Sequence, residues 1–243
     1  MISICRNFTA IKLLLVLWLL PFACLAQPKL KIGYFDIPPH IFASKQTPSP
    51  AIVYFDQIAK LMQRQPEYLH VPLPRLLQML EQHQLDAILL LAKNSARQQM
   101  FVYPKWPMFT ATPVLVVRAD NPFSIATLQQ DPTLQLGLWP GGYHSEFVKT
   151  IKGQQVPISG DQIGERGLNM LVQGRINAFF SPDQLSVRYL LQKNGWETQL
   201  KMLPVPNETI EIYTVFSKKS AVELLPPYEK ALQTLQETRP YPL

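Results

Sequence analysis

Beyond its N-terminus the chain has no cysteine, little glycine, no long apolar run and no concentration of charge of one sign. Cys5 and Cys24 are its two cysteines, and both lie in an opening segment with a recognisable order. Arg6 and Lys12 supply positive charge, Ile11 to Leu20 is apolar apart from Lys12, and Pro21 precedes the small residues around Ala23 to Ala26. That order is a secretory signal peptide, and the run is too short to span a bilayer. The expectation is a leader over residues 1–26, cleaved after Ala26, and a periplasmic mature chain. Lipid attachment at Cys24 is the alternative, although bulky Phe22 stands where a lipoprotein signal has a small residue. Cleavage leaves no thiol, which excludes disulfides, thiol catalysis and cysteine metal sites. Stability must then come from a packed core, which a chain of this size can build.

The other shortages narrow the chemistry. Without Arg6 and Lys12 the basic residues exceed the 17 acidic ones by little. They are scattered, with Lys218-Lys219 the tight pair, so nucleic acid is excluded as a partner. His40, His70, His83 and His144 have no metal-ligand spacing. Asp36, Asp86, Asp161 and Glu165 form no evident acid/base pair, and no Gly-X-Ser-X-Gly or phosphate loop occurs. The expectation is a protein without enzymatic activity, cofactor or metal. The 10 glycines against 23 prolines suggest fixed turns rather than disorder.

What is present is an alternation of strand and helix patterns. The segment Leu73 to Trp106 is the most informative. It reads as an amphipathic helix, a turn at Gln82-His83-Gln84, an apolar strand Asp86 to Ala92, a polar loop carrying Arg97, and a proline-aromatic edge. Leu30 to Tyr34, Tyr68 to Val71, Pro113 to Arg118, Leu134 to Leu138, Val156 to Ile158, Ile176 to Phe180, Leu200 to Val205 and Glu211 to Phe216 read as further strands. Helices are expected over Ile52 to Gln63, Ile125 to Gln130, Ser145 to Ile151, Gly164 to Gln173 and Gln184 to Lys193, with a last one ending near Thr238. This alternation predicts an α/β fold with mainly parallel sheets. Leu76 to Ala92 and Leu168 to Phe179 share one design of helix, tight turn and buried strand. Two such lobes would face each other across a cleft.

The ordered set of short motifs resembles the bacterial extracellular solute-binding proteins of family 3. It comprises Ile32-Gly33 with Pro38-Pro39; Pro74-Arg75 through Leu80 to Leu85-Asp86-Ala87; Asn94-Ser95-Ala96-Arg97 to Tyr103-Pro104; Leu136-Gly137 with Gly141-Gly142; and Leu171 with Gly174 to Ala178. The resemblance implies a two-lobed, type II periplasmic-binding-protein-like fold with a hinge of two crossover strands. The lobes would take residues 28–117 plus 205–243, and 118–204. It places Arg97 where the family grips a ligand carboxylate, and Gly141, Gly142 and Tyr143 on a loop whose N–H groups point at that carboxylate. The chain departs from the family at Asn94 and Gly142, where threonine is usual, and at Pro182, where the ammonium-binding aspartate is usual. Asp183 follows one residue late. These departures weaken the match to an α-amino acid.

Read from the residues, Arg97 follows a buried strand, the ligand end of an open sheet, and a guanidinium there can hold a carboxylate in two prongs. Tyr34 and Phe35 end the first strand, and at most one of them can face a cleft. Trp106 is a candidate for packing on the ligand body. Asp183 is a candidate ligand contact, with helix capping as the competing role. The expected function is capture of a small polar or anionic, amino-acid-like solute in the inter-lobe cleft for a membrane transporter. The alternatives are a ligand-sensing or accessory module on the same fold and, third, a dehydratase-type enzyme. The expected partners are a carboxylate-bearing solute and a membrane permease or sensor, with the chain a monomer.

Overall fold

A computed structural model describes residues 27–42, 44 and 47–242, so the expected leader lies outside the described residues. These residues build two five-stranded sheets. The first runs β2-β1-β3-β10-β4, from β1 (Lys29–Tyr34), β2 (Gln65–His70), β3 (Ala87–Ala92), β4 (Phe109–Ala111) and β10 (Ile210–Phe216). The second runs β7-β6-β8-β5-β9, from β5 (Val114–Arg118), β6 (Gln135–Leu138), β7 (Gln154–Pro157), β8 (Ala178–Ser181) and β9 (Leu200–Pro204). The helices are α1 (Pro50–Leu61), α2 (Leu73–Glu81), α3 (Ser95–Met100), α4 (Ile125–Gln130), α5 (Glu146–Lys149), α6 (Ile163–Val172), α7 (Gln184–Asn194) and α8 (Lys218–Thr238).

Both sheets are mixed. β1 pairs parallel with β2 and β3, and β6 pairs parallel with β7 and β8. The antiparallel pairings belong to strands at the connections between sheets: β10 with β3 and β4, and β5 with β8 and β9. The chain leaves the first sheet after Ala111, crosses at Thr112-Pro113, and returns between Pro204 and Ile210. Val114 to Val117, which the sequence reading assigned to the first lobe, are therefore a strand of the second sheet. Val205 also packs with the second core. The apolar alternation of β5 is satisfied there, with Val114 and Val116 on one face and Leu115 and Val117 on the other.

β3 shows how sequence sets the site. All six of its residues are buried, because helices cover both faces. Ile88 and Leu91 pack on the α2 side, whereas Ala87, Leu89, Leu90 and Ala92 join the cluster under α1 and α8. Leu89 and Leu90 share a face because β3 carries an extra residue against β10. The pairing shifts between Tyr213 and Val215, and Leu90 has a φ of 58°. A leucine in the left-handed region costs on the order of 1–3 kcal/mol, and the bulge re-aims the strand end that precedes Arg97.

The two similar segments named above fold alike. α2 closes through His83 at φ 57°, and α6 through Gly174 at φ 66°. Asp86 then exchanges bonds with Lys31, its N–H donating to the Lys31 carbonyl at 2.9 Å and its carboxylate accepting the Lys31 N–H at 2.8 Å. Asn177 does the same with Gln135, at 2.9 and 2.8 Å. Each side chain thus fixes the strand start in its own sheet.

Candidate functional site

The parallel strands point their C-terminal ends to one place. β1 and β3 are neighbours in the first sheet, and β6 and β8 are neighbours in the second. Residues just beyond these four ends meet across the space between the sheets. Arg97 reaches Gly141, Phe35 lies against Trp139 with ring centroids 5.8 Å apart, and His40 reaches Asp183. The candidate site is therefore the seam between the lobes at the carboxyl ends of parallel strands, where ligands bind in open α/β sheets.

Arg97 lies within a short helix, α3, rather than in the expected loop. The polar run Asn94 to Arg97 caps itself, the Asn94 side chain accepting the Arg97 N–H at 2.8 Å. This cap turns the guanidinium inward, where the residue is 7 % exposed. One terminal nitrogen donates to the Ala92 carbonyl at 2.9 Å and the other to the Gly141 carbonyl of the second lobe at 3.0 Å. No carboxylate of the described residues forms an ion pair with it. Burial lowers its pKa, with Tyr103 acting weakly the other way. Tyr103 stands beside it, donates to the same Ala92 carbonyl at 3.2 Å, and has its phenol pushed up to about 12 by burial against the opposing pull of Arg97. Lys93 sits over the faces of Tyr103 and Tyr213, at 5.9 and 5.5 Å. One wall of the cleft is thus cationic and aromatic.

The other expected residues take distinct places. Phe35 is buried and turned to Trp139, while Tyr34 packs on Tyr68 and His70 inside the first lobe. The period of two separates them. Gly141 presents its carbonyl, not its N–H, to Arg97, and the Gly142 N–H closes a turn on the Trp139 carbonyl. A Cβ at Gly142 would lie 3.0 Å from the Trp139 ring, which explains a small residue there. Tyr143 packs against the cores of both lobes, and burial followed by Glu208 raises its pKa. Trp106 is 41 % exposed, with Lys105 over its ring, and none of its ring or hydrogen-bond contacts among the described residues joins it to the cleft. Trp139 takes the inter-lobe position instead. It stands next to the glycine pair Gly141-Gly142, and its signal in the sequence is only that adjacency.

Asp183 does two things. Its carboxylate caps α7, accepting from the Leu185 and Ser186 N–H groups at 3.0 Å each and from the Ser186 hydroxyl at 2.6 Å. It also accepts from His40 Nε2 at 3.0 Å across the cleft. His40 is 2 % exposed, stacks on Phe109, and meets the Tyr241 hydroxyl through Nδ1 at 3.0 Å. An ionised carboxylate only accepts, so Nε2 carries a proton. No local pattern marks His40, because its partners lie 143 and 201 residues away. Among the described residues no cluster of histidine, cysteine or acid could hold a metal, and no helix is long and apolar enough to cross a membrane.

Two lobes hinged by paired crossings, with a buried cation at the strand ends between them, define a type II periplasmic-binding-protein fold. The model of the bacterial extracellular solute-binding proteins, family 3, matches residues 38–241, and the chain belongs to that family. Solved structures of the same fold include an ancestral arginine-binding protein bound to arginine, at 19 % identity and TM-score 0.71 over 89 % of this chain and 96 % of that one. The glutamate-bound ligand-binding core of GluR0 from Nostoc punctiforme is 18 % identical, with TM-score 0.68 over 87 % and 95 %. A histidine kinase sensor domain similar to periplasmic binding proteins is 15 % identical, with TM-score 0.73 over 89 % and 93 %. No curated protein matches the chain.

Proposed function

We propose that this protein captures a small carboxylate-bearing solute between its lobes in the periplasm, with Arg97 as the anchor, and delivers it to a membrane transporter. The observation that carries the reading is the guanidinium itself. Buried ions in proteins are paired, since an unpaired one costs several kcal/mol. Arg97 is buried with two carbonyls and no acid among the described residues. An anionic solute entering an opened cleft would replace the Gly141 carbonyl with a charge-assisted, two-pronged partner. Phe35 and Trp139 would cover its apolar part, and Tyr143 would line the second lobe. The crossings at Thr112-Pro113 and between Pro204 and Ile210 form the hinge, and they divide the chain into the two lobes. The binding of arginine and glutamate by proteins of this fold agrees with a solute of that size.

A sensing or accessory role is the second reading. It is favoured by how fully the lobes bridge each other through Arg97–Gly141, Phe35–Trp139 and His40–Asp183. In the transport and sensing readings the solute binds first, whereas an accessory protein-interaction module needs none. A thermal-shift screen of residues 27–243 with amino acids, mono- and dicarboxylates, polyamines and sugars tests the proposal. A solute at about a hundred times its Kd adds about 2.7 kcal/mol, which is roughly 5–10 °C for a chain of this size. The expected result is a shift with a carboxylate that is lost in Arg97→Met. Shifts with polyamines or sugars alone would refute it.

A further inference from the structure

We propose that His40 makes this cleft selective for organic acids that carry no ammonium group. The inference rests on the carboxylate-binding reading above and narrows its substrate class. It follows from which charges at the cleft are already engaged. Asp183, at the end of β8, is 4 % exposed and has four donors on its two oxygens: two backbone N–H groups, the Ser186 hydroxyl and His40 Nε2. Oδ2 takes three of them, more than its two lone pairs hold, and Oδ1 takes the Leu185 N–H. An ammonium could reach Oδ2 only by displacing the imidazole, and His40 is held by its stack on Phe109, centroids 4.7 Å apart, and by Tyr241.

The remaining acids near the strand ends are also engaged. Asp36 is partnered and lies near Lys193 of the second lobe. Glu208 faces Tyr143. Glu211 accepts from the Tyr213 hydroxyl at 2.6 Å. Against them stand Arg97, buried without an acid among the described residues, and Lys93 over two aromatic faces. Among the described residues the cleft therefore offers cations to an anion and no unengaged buried acid to a cation. An ammonium on the solute would be desolvated beside Arg97 with no counter-charge, which disfavours it. A keto, hydroxy or unsubstituted acid of the same carbon skeleton suffers no such penalty. His40 is the discriminating residue because it is the element of the first lobe that consumes the acid of the second.

The test is calorimetric titration with matched pairs: pyruvate against L-alanine, 2-oxoglutarate against L-glutamate, and succinate against L-aspartate. The wild-type chain is expected to bind at least one acid about tenfold or more tightly than its amino counterpart. In His40→Ala, with Asp183 released, the ratio is expected to fall or invert. The wild-type ratio stands as a test by itself even where the variant folds poorly. Amino acids binding as tightly as their partners, with affinity still dependent on Arg97, would overturn the inference and leave the carboxylate site standing. Failure of every carboxylate in the set and in the wider screen would overturn both. An unchanged ratio in a folded His40→Ala protein would remove the assignment to His40.

Discussion

At the scale of single residues, buried charge governs this molecule, and the buried Arg97 and Asp183 are treated oppositely. Arg97 is held by neutral carbonyls, while Asp183 is surrounded by donors. Burial works to raise the Asp183 pKa, but the hydrogen bond and charge of His40, with the Ser186 and Leu185 donors, outweigh it and hold the group below the usual carboxylate range. Its pKa is thus lower folded than unfolded. Its contribution to stability is complete above the unfolded value near ~3.9 and is lost as the pH falls through the lower folded value. Asp183→Asn keeps a capping side chain but loses the charge. Urea unfolding at stepped pH should show the wild type destabilising on acidification below about pH 4 more steeply than the variant. Parallel curves would contradict the bridge between His40 and Asp183. The cap at Asp183 could be read in advance from Ser181-Pro182-Asp183 before a helix, but the bridge could not, because His40 gains meaning only from contacts across the fold.

At the scale of elements, most of what the residues specified came through local chemistry. The unbroken apolar run Ala87 to Ala92 is a buried strand, and Gly195 ends α7 at φ 67°, the left-handed cap that glycine supplies freely. What could not be read were features fixed by neighbours. β4 is short and owes its existence to pairing with β10. The bulge at Leu90 depends on the opposing strand. α3 depends on Asn94 folding back on Arg97. The turn after α2 shows the cost of an imperfect local choice. His83 takes the left-handed conformation that Gly174 supplies freely after α6. A side chain there costs about 1–2 kcal/mol, and His83 is exposed. His83→Gly should therefore stabilise the protein by about 0.5–1 kcal/mol in chemical denaturation, net of the added freedom of the unfolded chain. A loss of stability would mean that the imidazole makes a contact outweighing the strain.

At the scale of the whole molecule, the two sheets are joined by paired crossings, and their strand ends meet in one cleft. In the proposed function closure there is an equilibrium that a solute biases only by binding the closed form more tightly. In that proposal Arg97 supplies this difference, since it lies on the first lobe and spans to Gly141 on the second. Arg97→Met keeps much of the side-chain volume and removes the charge, so folding should be kept, and removing a buried unpaired ion should not lower stability. The decisive measurement is a pair of calorimetric titrations, wild type and Arg97→Met, with the carboxylate that gives the largest thermal shift. The predicted result is a loss of at least about 30-fold in affinity, on the order of 2 kcal/mol for a charge-assisted two-pronged contact, in a variant whose unfolding midpoint is unchanged or raised. Equal affinity in the two proteins would show that the carboxylate is held elsewhere and that Arg97 is only a strut between the lobes.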